Sequence, residues 1–101
     1  MPTDLRDLAG LDRLIHEPAR LVLTAILSVV ESADFLYLQR ETGLTKGNLS
    51  SHLAKLEEAR YITIEKTYRG RVPLTLVRLT DAGAAAYKAY RTRFKKFLEQ
   101  T

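Results

Sequence analysis

The sequence predicts a mostly helical α+β domain that carries one small β-hairpin. Three observations lead there. Residues 17 to 58 hold apolar side chains at helical spacing, interrupted by turn signals. Residues 61 to 79 hold two alternating runs on either side of Gly70. Residues 80 to 100 return to helical spacing. A chain of 101 residues with 46% hydrophobic composition suits one compact module and leaves no room for a second. The expected layout is an N-terminal arm over 1-16, a core over 17-80 and a long C-terminal helix over 81-100.

In the arm, Leu5, Leu8, Leu11, Leu14 and Ile15 recur at three- and four-residue steps, with Gly10 as a break. Pro18 suits the first turn of a helix. Behind it Leu21, Val22, Ala25, Ile26, Val29 and Val30 form a broad apolar stripe ending near Ser32. Asp34 to Thr42 makes a short helix with Phe35, Leu36 and Leu38, closed by Gly43, whose missing Cβ suits a left-handed helix end. Thr45 then caps the next helix, its hydroxyl reaching the free amide of Asn48, and Leu44 and Leu49 stand at the spacing of a hydrophobic staple.

In that helix Leu49, Leu53 and Leu56 lie within about 60° of arc, so only one narrow edge is core. Gly47, Ser51, Ala54 and Glu58 fall opposite. Ser50 lies on one flank and Asn48, His52 and Lys55 on the other, with Lys46 nearer the buried side. Tyr61 to Glu65 alternates as a half-buried strand, and Leu74 to Leu79 answers it. The loop between them, Lys66 to Pro73, presents Tyr68, Arg69 and Arg71 around Gly70. Thr80 caps the last helix and Asp81 favours its dipole. Along it Ala86, Tyr87, Tyr90, Phe94, Phe97 and Leu98 recur at helical spacing, more apolar surface than an isolated helix can bury.

Composition narrows the function. Sixteen Lys and Arg face twelve Asp and Glu, a net charge of +4 and a pI of about 9.6. Residues 1 to 33 hold three cations against five acids, so the remainder carries the whole excess. Such asymmetry suits a phosphate backbone. Without cysteine, thiolate catalysis and cysteine-based metal sensing are excluded, and His16 and His52 alone do not make a metal site. Ser50, Ser51 and His52 are consecutive on one helix and cannot adopt the geometry of a catalytic triad, so no enzyme and no cofactor is expected. No run of about 18 apolar residues crosses a membrane and no signal peptide opens the chain, which makes a cytoplasmic protein the default.

Small polar side chains on a helix allow its backbone close to base edges in a major groove. Thr45, Lys46, Gly47, Asn48, Ser50, Ser51, His52 and Lys55 are therefore the candidate double-stranded DNA contacts on this helix. Asn48 is suited to an adenine edge, and His52 and Lys55 to phosphates. Tyr68, Arg69 and Arg71 are the candidates on the hairpin, since arginine gains from the narrow minor groove and grips phosphates bidentately. The competing readings are a solvated helix face and a hairpin tip kept soluble by two arginines.

Gly43 to Ala59, followed by Tyr61-Ile62, then Gly70-Arg71-Val72-Pro73 and Leu79-Thr80-Asp81-Ala82-Gly83, resembles the small winged helix-turn-helix transcriptional regulators of the MarR-like and ArsR-like type. The likeness covers roughly residues 17 to 90. It implies a dimeric prokaryotic regulator whose third core helix enters the major groove while the wing touches the minor groove. By position, Lys46, Asn48, Ser50, Ser51 and His52 match the recognition helix, and Arg69 and Arg71 the wing. A homodimer would use the C-terminal helix and the arm, through Leu5, Leu8, Leu11, Ala86, Tyr87, Tyr90, Phe94, Phe97 and Leu98. The alternative is a monomer whose last helix folds back on the core. Dimerisation would predict a pseudo-palindromic operator, and repression by occlusion is the simplest mechanism. Winged helices also serve as protein-interaction modules, the second functional reading. The chain departs from the family in lacking metal-sensing residues and in leaving room for only a small, shared effector pocket. It also carries Arg60 where glycine is usual, which predicts a helix end that departs from glycine-capped geometry. The sequence names no effector.

Overall fold

The computed structural model of the chain describes residues 10–101. The elements follow in the order α1 (Pro18–Leu27), β1 (Ala33–Asp34), α2 (Phe35–Thr42), α3 (Lys46–Glu58), β2 (Ile62–Arg69), β3 (Val72–Leu79) and α4 (Asp81–Gln100). This is the expected α+β architecture with one strand more. The sheet is antiparallel in the order β1-β3-β2. The added strand pairs Ala33 with Val77 and Asp34 with Leu76. Two residues are too short to display a two-residue period, so no sequence pattern marks it.

Helix α1 is capped by Glu17, whose carboxylate accepts the amides of Ala19 and Arg20, both at 2.9 Å, with Pro18 in the first turn. The helix ends at Leu27, and its core face is not the expected stripe. Leu23, Thr24 and Leu27 are buried, whereas Val22, Val29 and Val30 are exposed. Residues 21 to 27 are apolar nearly all round, so periodicity cannot say which face meets the core; the position of α2 and α3 decides it. Thr24 enters the core without an orphan hydroxyl because its Oγ1 donates to the carbonyl of Arg20 at 2.7 Å.

The helix-turn-helix follows its expected chemistry. Gly43 takes φ 70° and donates to Gln39 at 2.9 Å, and the Thr45 hydroxyl accepts the Asn48 amide at 3.1 Å. Leu49, Leu53 and Leu56 are the buried edge of α3. The far end of α3 corrects the expectation for Arg60. Its φ is 64°, the left-handed value glycine would take. The amides of Arg60 and Tyr61 return to the carbonyls of Glu57 and Leu56, each at 2.9 Å, the paired bonds of a Schellman cap.

The hairpin is also longer than expected. Pairing runs from Ile62 with Leu79 to Arg69 with Val72, so the eight-residue loop shrinks to the Gly70-Arg71 turn, with Gly70 at φ 63°. Pro73 sits opposite Tyr68 inside β3. It is tolerated because β1 reaches β3 only at Leu76 and Val77, leaving that edge free of partners.

Two apolar clusters hold the layers together. The main one gathers Leu23, Leu27, Ala33, Leu38, Leu49, Leu53, Leu56, Ile62 and Val77. The second joins Leu11 and Ile15 of the arm to Tyr90 of α4, with Leu21, Tyr61, Ala86, Tyr87 and Phe94 around them.

Candidate nucleic-acid interface

Helix α3 packs by its leucine edge and leaves Lys46, Gly47, Asn48, Ser50, Ser51 and Lys55 exposed, with the capping Thr45 exposed just before them. A Cβ on Gly47 would meet nothing within 4 Å, so the helix approaches an incoming surface here with its backbone nearly bare. Among the described residues, Lys46, Lys55, Arg69 and Arg71 are in no ion pair, and their charge is free for a polyanion.

His52 differs from the other candidates. Its ring is half-buried against α1, with Nδ1 3.1 Å from Arg20 Nη1 and 3.5 Å from Glu17 Oε2. Arg20 is itself held by Leu14, whose carbonyl accepts its Nε at 2.6 Å. Burial works to raise the Glu17 pKa, but the Arg20 and Ala19 amides and the electrostatic attraction of the neighbouring His52 and Arg20 outweigh it and leave the carboxyl below its usual range. His52, expected to contact phosphate, also braces α3 against the start of α1 through its Nδ1. Its flank on the helix wheel faces α1, a placement that depends on the tertiary arrangement.

The wing presents two faces. Ile62, Ile64, Lys66 and Tyr68 alternate onto the side that meets α3, while Thr63, Glu65, Thr67 and Arg69 take the other. Tyr68, 70% exposed, and Arg69 therefore project from opposite faces, with Arg71 at the tip. Between α3 and the wing runs a groove of about 260 Å³ that includes Lys46, Ser50, Lys66 and Thr75. Lys66 and Thr75 are absent from the sequence-derived candidates. The same two-residue period that marks Ile62 and Ile64 would have found Lys66, had the strand been followed past Glu65.

The dimer candidates divide. Leu5 and Leu8 lie outside the described residues. Leu11 and Tyr90 are 5% and 4% exposed and cover each other within the chain, so α4 folds in part onto its own arm. The Tyr90 hydroxyl is 2.7 Å from His16 Nδ1, which ties the end of the arm to α4. Ala86, Tyr87, Phe94 and Phe97 are half-buried, and Leu98 is exposed. Tyr90, Phe94 and Phe97 form a ladder with centroid separations of 5.8 and 6.3 Å. Beside the ladder α1 and α4 leave an apolar depression containing Leu21, Val29, Tyr87, Phe94 and Leu98. Val29, 81% exposed, lies on this surface, and Val22, 46% exposed, stands in a neighbouring depression that shares Leu21 and Phe94, neither valine having been expected there.

Among the described residues, no three His, Cys, Asp or Glu side chains gather as a metal site, and no helix is long and apolar enough to cross a membrane.

Residues 19–98 match the family described as winged helix DNA-binding domain. Over 79 residues the chain is 35% identical to an uncharacterized protein of Methanocaldococcus jannaschii, covering 77% of this chain and 85% of that protein. It is similar to the structure of a transcriptional regulator homologue from Pyrococcus horikoshii OT3, with a TM-score of 0.88 and 28% identity over 93% of this chain and 95% of that one. The transcriptional repressor BigR from Xylella fastidiosa shares the fold at a TM-score of 0.65 and 22% identity, over 95% of this chain and 88% of that one. The winged helix-turn-helix resemblance drawn from the sequence is thereby borne out.

Proposed function

The chain belongs to the winged helix DNA-binding domain family, and on that premise we propose that it is a sequence-specific, double-stranded DNA-binding transcriptional regulator acting as a homodimer. The observation that carries the reading is the exposed face of α3, small and polar from Lys46 to Ser51, beside a wing whose Arg69 and Arg71 have no ion-pair partner among the described residues. In this reading α3 lies in the major groove, where Asn48 pairs with an adenine edge and Ser50 and Ser51 reach bases or phosphates. The Arg71 tip enters the adjacent minor groove, and Arg69 grips the backbone.

The core over 17-80 reads DNA, while α4, with Val22 of α1 and Val29 just beyond its end, meets a second copy through Tyr87, Phe94, Phe97 and Leu98. A two-fold pair sets the recognition helices about 34 Å apart, one turn of duplex, and selects a pseudo-palindromic operator. Occlusion of a promoter by the bound dimer makes it a repressor, working in the cytoplasm of a prokaryotic cell.

The test is fluorescence anisotropy with genomic duplex fragments at low and moderate salt, followed by sequencing of the retained fragments. The expected result is salt-sensitive binding that enriches a pseudo-palindrome. Arg69→Ala with Arg71→Ala should weaken binding to all duplexes and flatten the salt slope. No binding by the parent chain even at low salt would overturn the reading in favour of a protein-interaction module.

A further inference from the structure

We propose that Lys66 and Lys46 form a seat for one backbone phosphate of the duplex, on the strand that passes between α3 and the wing. The proposal rests on the DNA-binding reading above and adds to it a positioning residue, Lys66, on an element otherwise credited only with its tip.

On α3, Lys46, Ser50, Leu53 and Glu57 recur at three- and four-residue steps and so share one flank. That flank faces β2 and β3, and the groove between them brings Lys46 and Ser50 together with Lys66 and Thr75. Lys66 and Thr75 are cross-strand partners on one face of the hairpin. The floor is apolar, with Leu53 buried and Phe35 and Ile64 half-buried. Charges over such a floor interact more strongly than in open water.

Glu57 also borders the groove, but its position along the helix separates it from the lysine end. It lies eleven residues from Lys46, about 16 Å along the axis at 1.5 Å per residue. The chain reverses through the Schellman cap and β2 starts beside the last turn of α3, where the Tyr61 amide bonds to Leu56. From Ile62 to Lys66 the strand then advances about 13 Å toward the other end. Two cations and two hydroxyls therefore occupy one end of the groove and the carboxylate the other. Among the described residues, none of the Lys46, Lys66, Ser50 and Thr75 side chains has a hydrogen-bond or ion-pair partner.

A phosphate has the charge and acceptor oxygens this set lacks. Bound here, it ties the recognition helix and the wing to a single point on the backbone and so sets the register at which Asn48 and Arg71 reach their grooves. The contact carries no base information.

Lys66→Ala should lower affinity by the same factor for the operator and for an unrelated duplex. It should also reduce the slope of log affinity against log salt by about 0.9, the value of one neutralised phosphate. Lys66→Arg should retain most of both, and the exposed site predicts an unchanged melting temperature. Methylphosphonates scanned singly through the operator backbone locate the contact. At one position the parent chain should lose affinity while Lys66→Ala and Lys46→Ala lose nothing further. A parent chain that binds with salt dependence while Lys66→Ala keeps its affinity and slope, or a scan with no such shared position, overturns the seat alone. A parent chain with no salt-sensitive binding overturns the regulator reading and the seat with it.

Discussion

Two backbone positions after α3 show how single residues hold this fold at opposite tensions. Arg60 occupies φ 64°, where a Cβ crowds the following carbonyl at a cost of roughly 1–2 kcal/mol. Its exposed side chain forms no ion pair among the described residues to offset that cost. Arg60→Gly should therefore raise stability by about 1 kcal/mol, read as a higher denaturation midpoint at unchanged slope; a lower midpoint would mean the arginine has a structural partner. Gly83 is the reverse case. A Cβ there would stand 2.1 Å from the Tyr61 carbonyl oxygen and 2.8 Å from Leu79 Cδ1. The carbonyl is already fixed by the Thr80 amide at 2.9 Å, so the backbone has nowhere to retreat. Gly83→Ala should cost about 3 kcal/mol or more by overpacking, and a melting temperature within a degree of the parent would refute the close approach.

Between elements, the arm is fastened to the hairpin through Asp12. One of its carboxylate oxygens accepts the amides of Leu14 and Ile15, and the other accepts the Tyr61 hydroxyl at 2.5 Å. That hydrogen bond, with burial and the Asp12 charge behind it, pushes the Tyr61 phenol from 10.0 up to about 12. The folded chain thus keeps a proton that the unfolded chain releases near pH 10. The contribution is whole below pH 10 and is lost as pH rises to 12. Denaturation midpoints across that window should fall more steeply for the parent than for Tyr61→Phe, and parallel curves would exclude the Asp12 contact. The hairpin itself was legible in outline only. Glycine at 70 announced the turn, but the exposed Lys66 to Arg69 segment has no apolar alternation, so its strand character comes from pairing with Val72 to Thr75 and not from burial.

Over the whole molecule, α4 serves both readings that the sequence left open. Tyr90 closes the chain's own second cluster, while Leu98 and the neighbouring Val29 remain in water. An apolar surface of this kind, continuous along α1 and α4, is the one proposed to meet a second copy. Val29→Glu combined with Leu98→Glu is a sharper probe than a change at Phe94, which stacks on Tyr90 at 5.8 Å and supports the fold. The double variant should scatter light as an 11.5 kDa monomer with little loss of melting temperature, and bind operator with reduced affinity. A variant that keeps twice that mass would move the interface off α4.

What the sequence determined by itself is local in origin. Thr45 and Gly43 bound the helix-turn-helix through hydrogen bonds and a left-handed φ within a few residues, and the leucine edge of α3 follows from a 3.6-residue period. The exposure of Gly47, Asn48, Ser50 and Ser51 follows from the same wheel. Tertiary structure alone decided which face of α1 is buried, since that helix is apolar on more than one side. It turned His52 inward to Arg20 and Glu17, added the two-residue β1 and brought Lys66 into one groove with Lys46. Each of these depends on which element lies opposite, a contact between residues far apart in the chain that no local period or capping rule encodes.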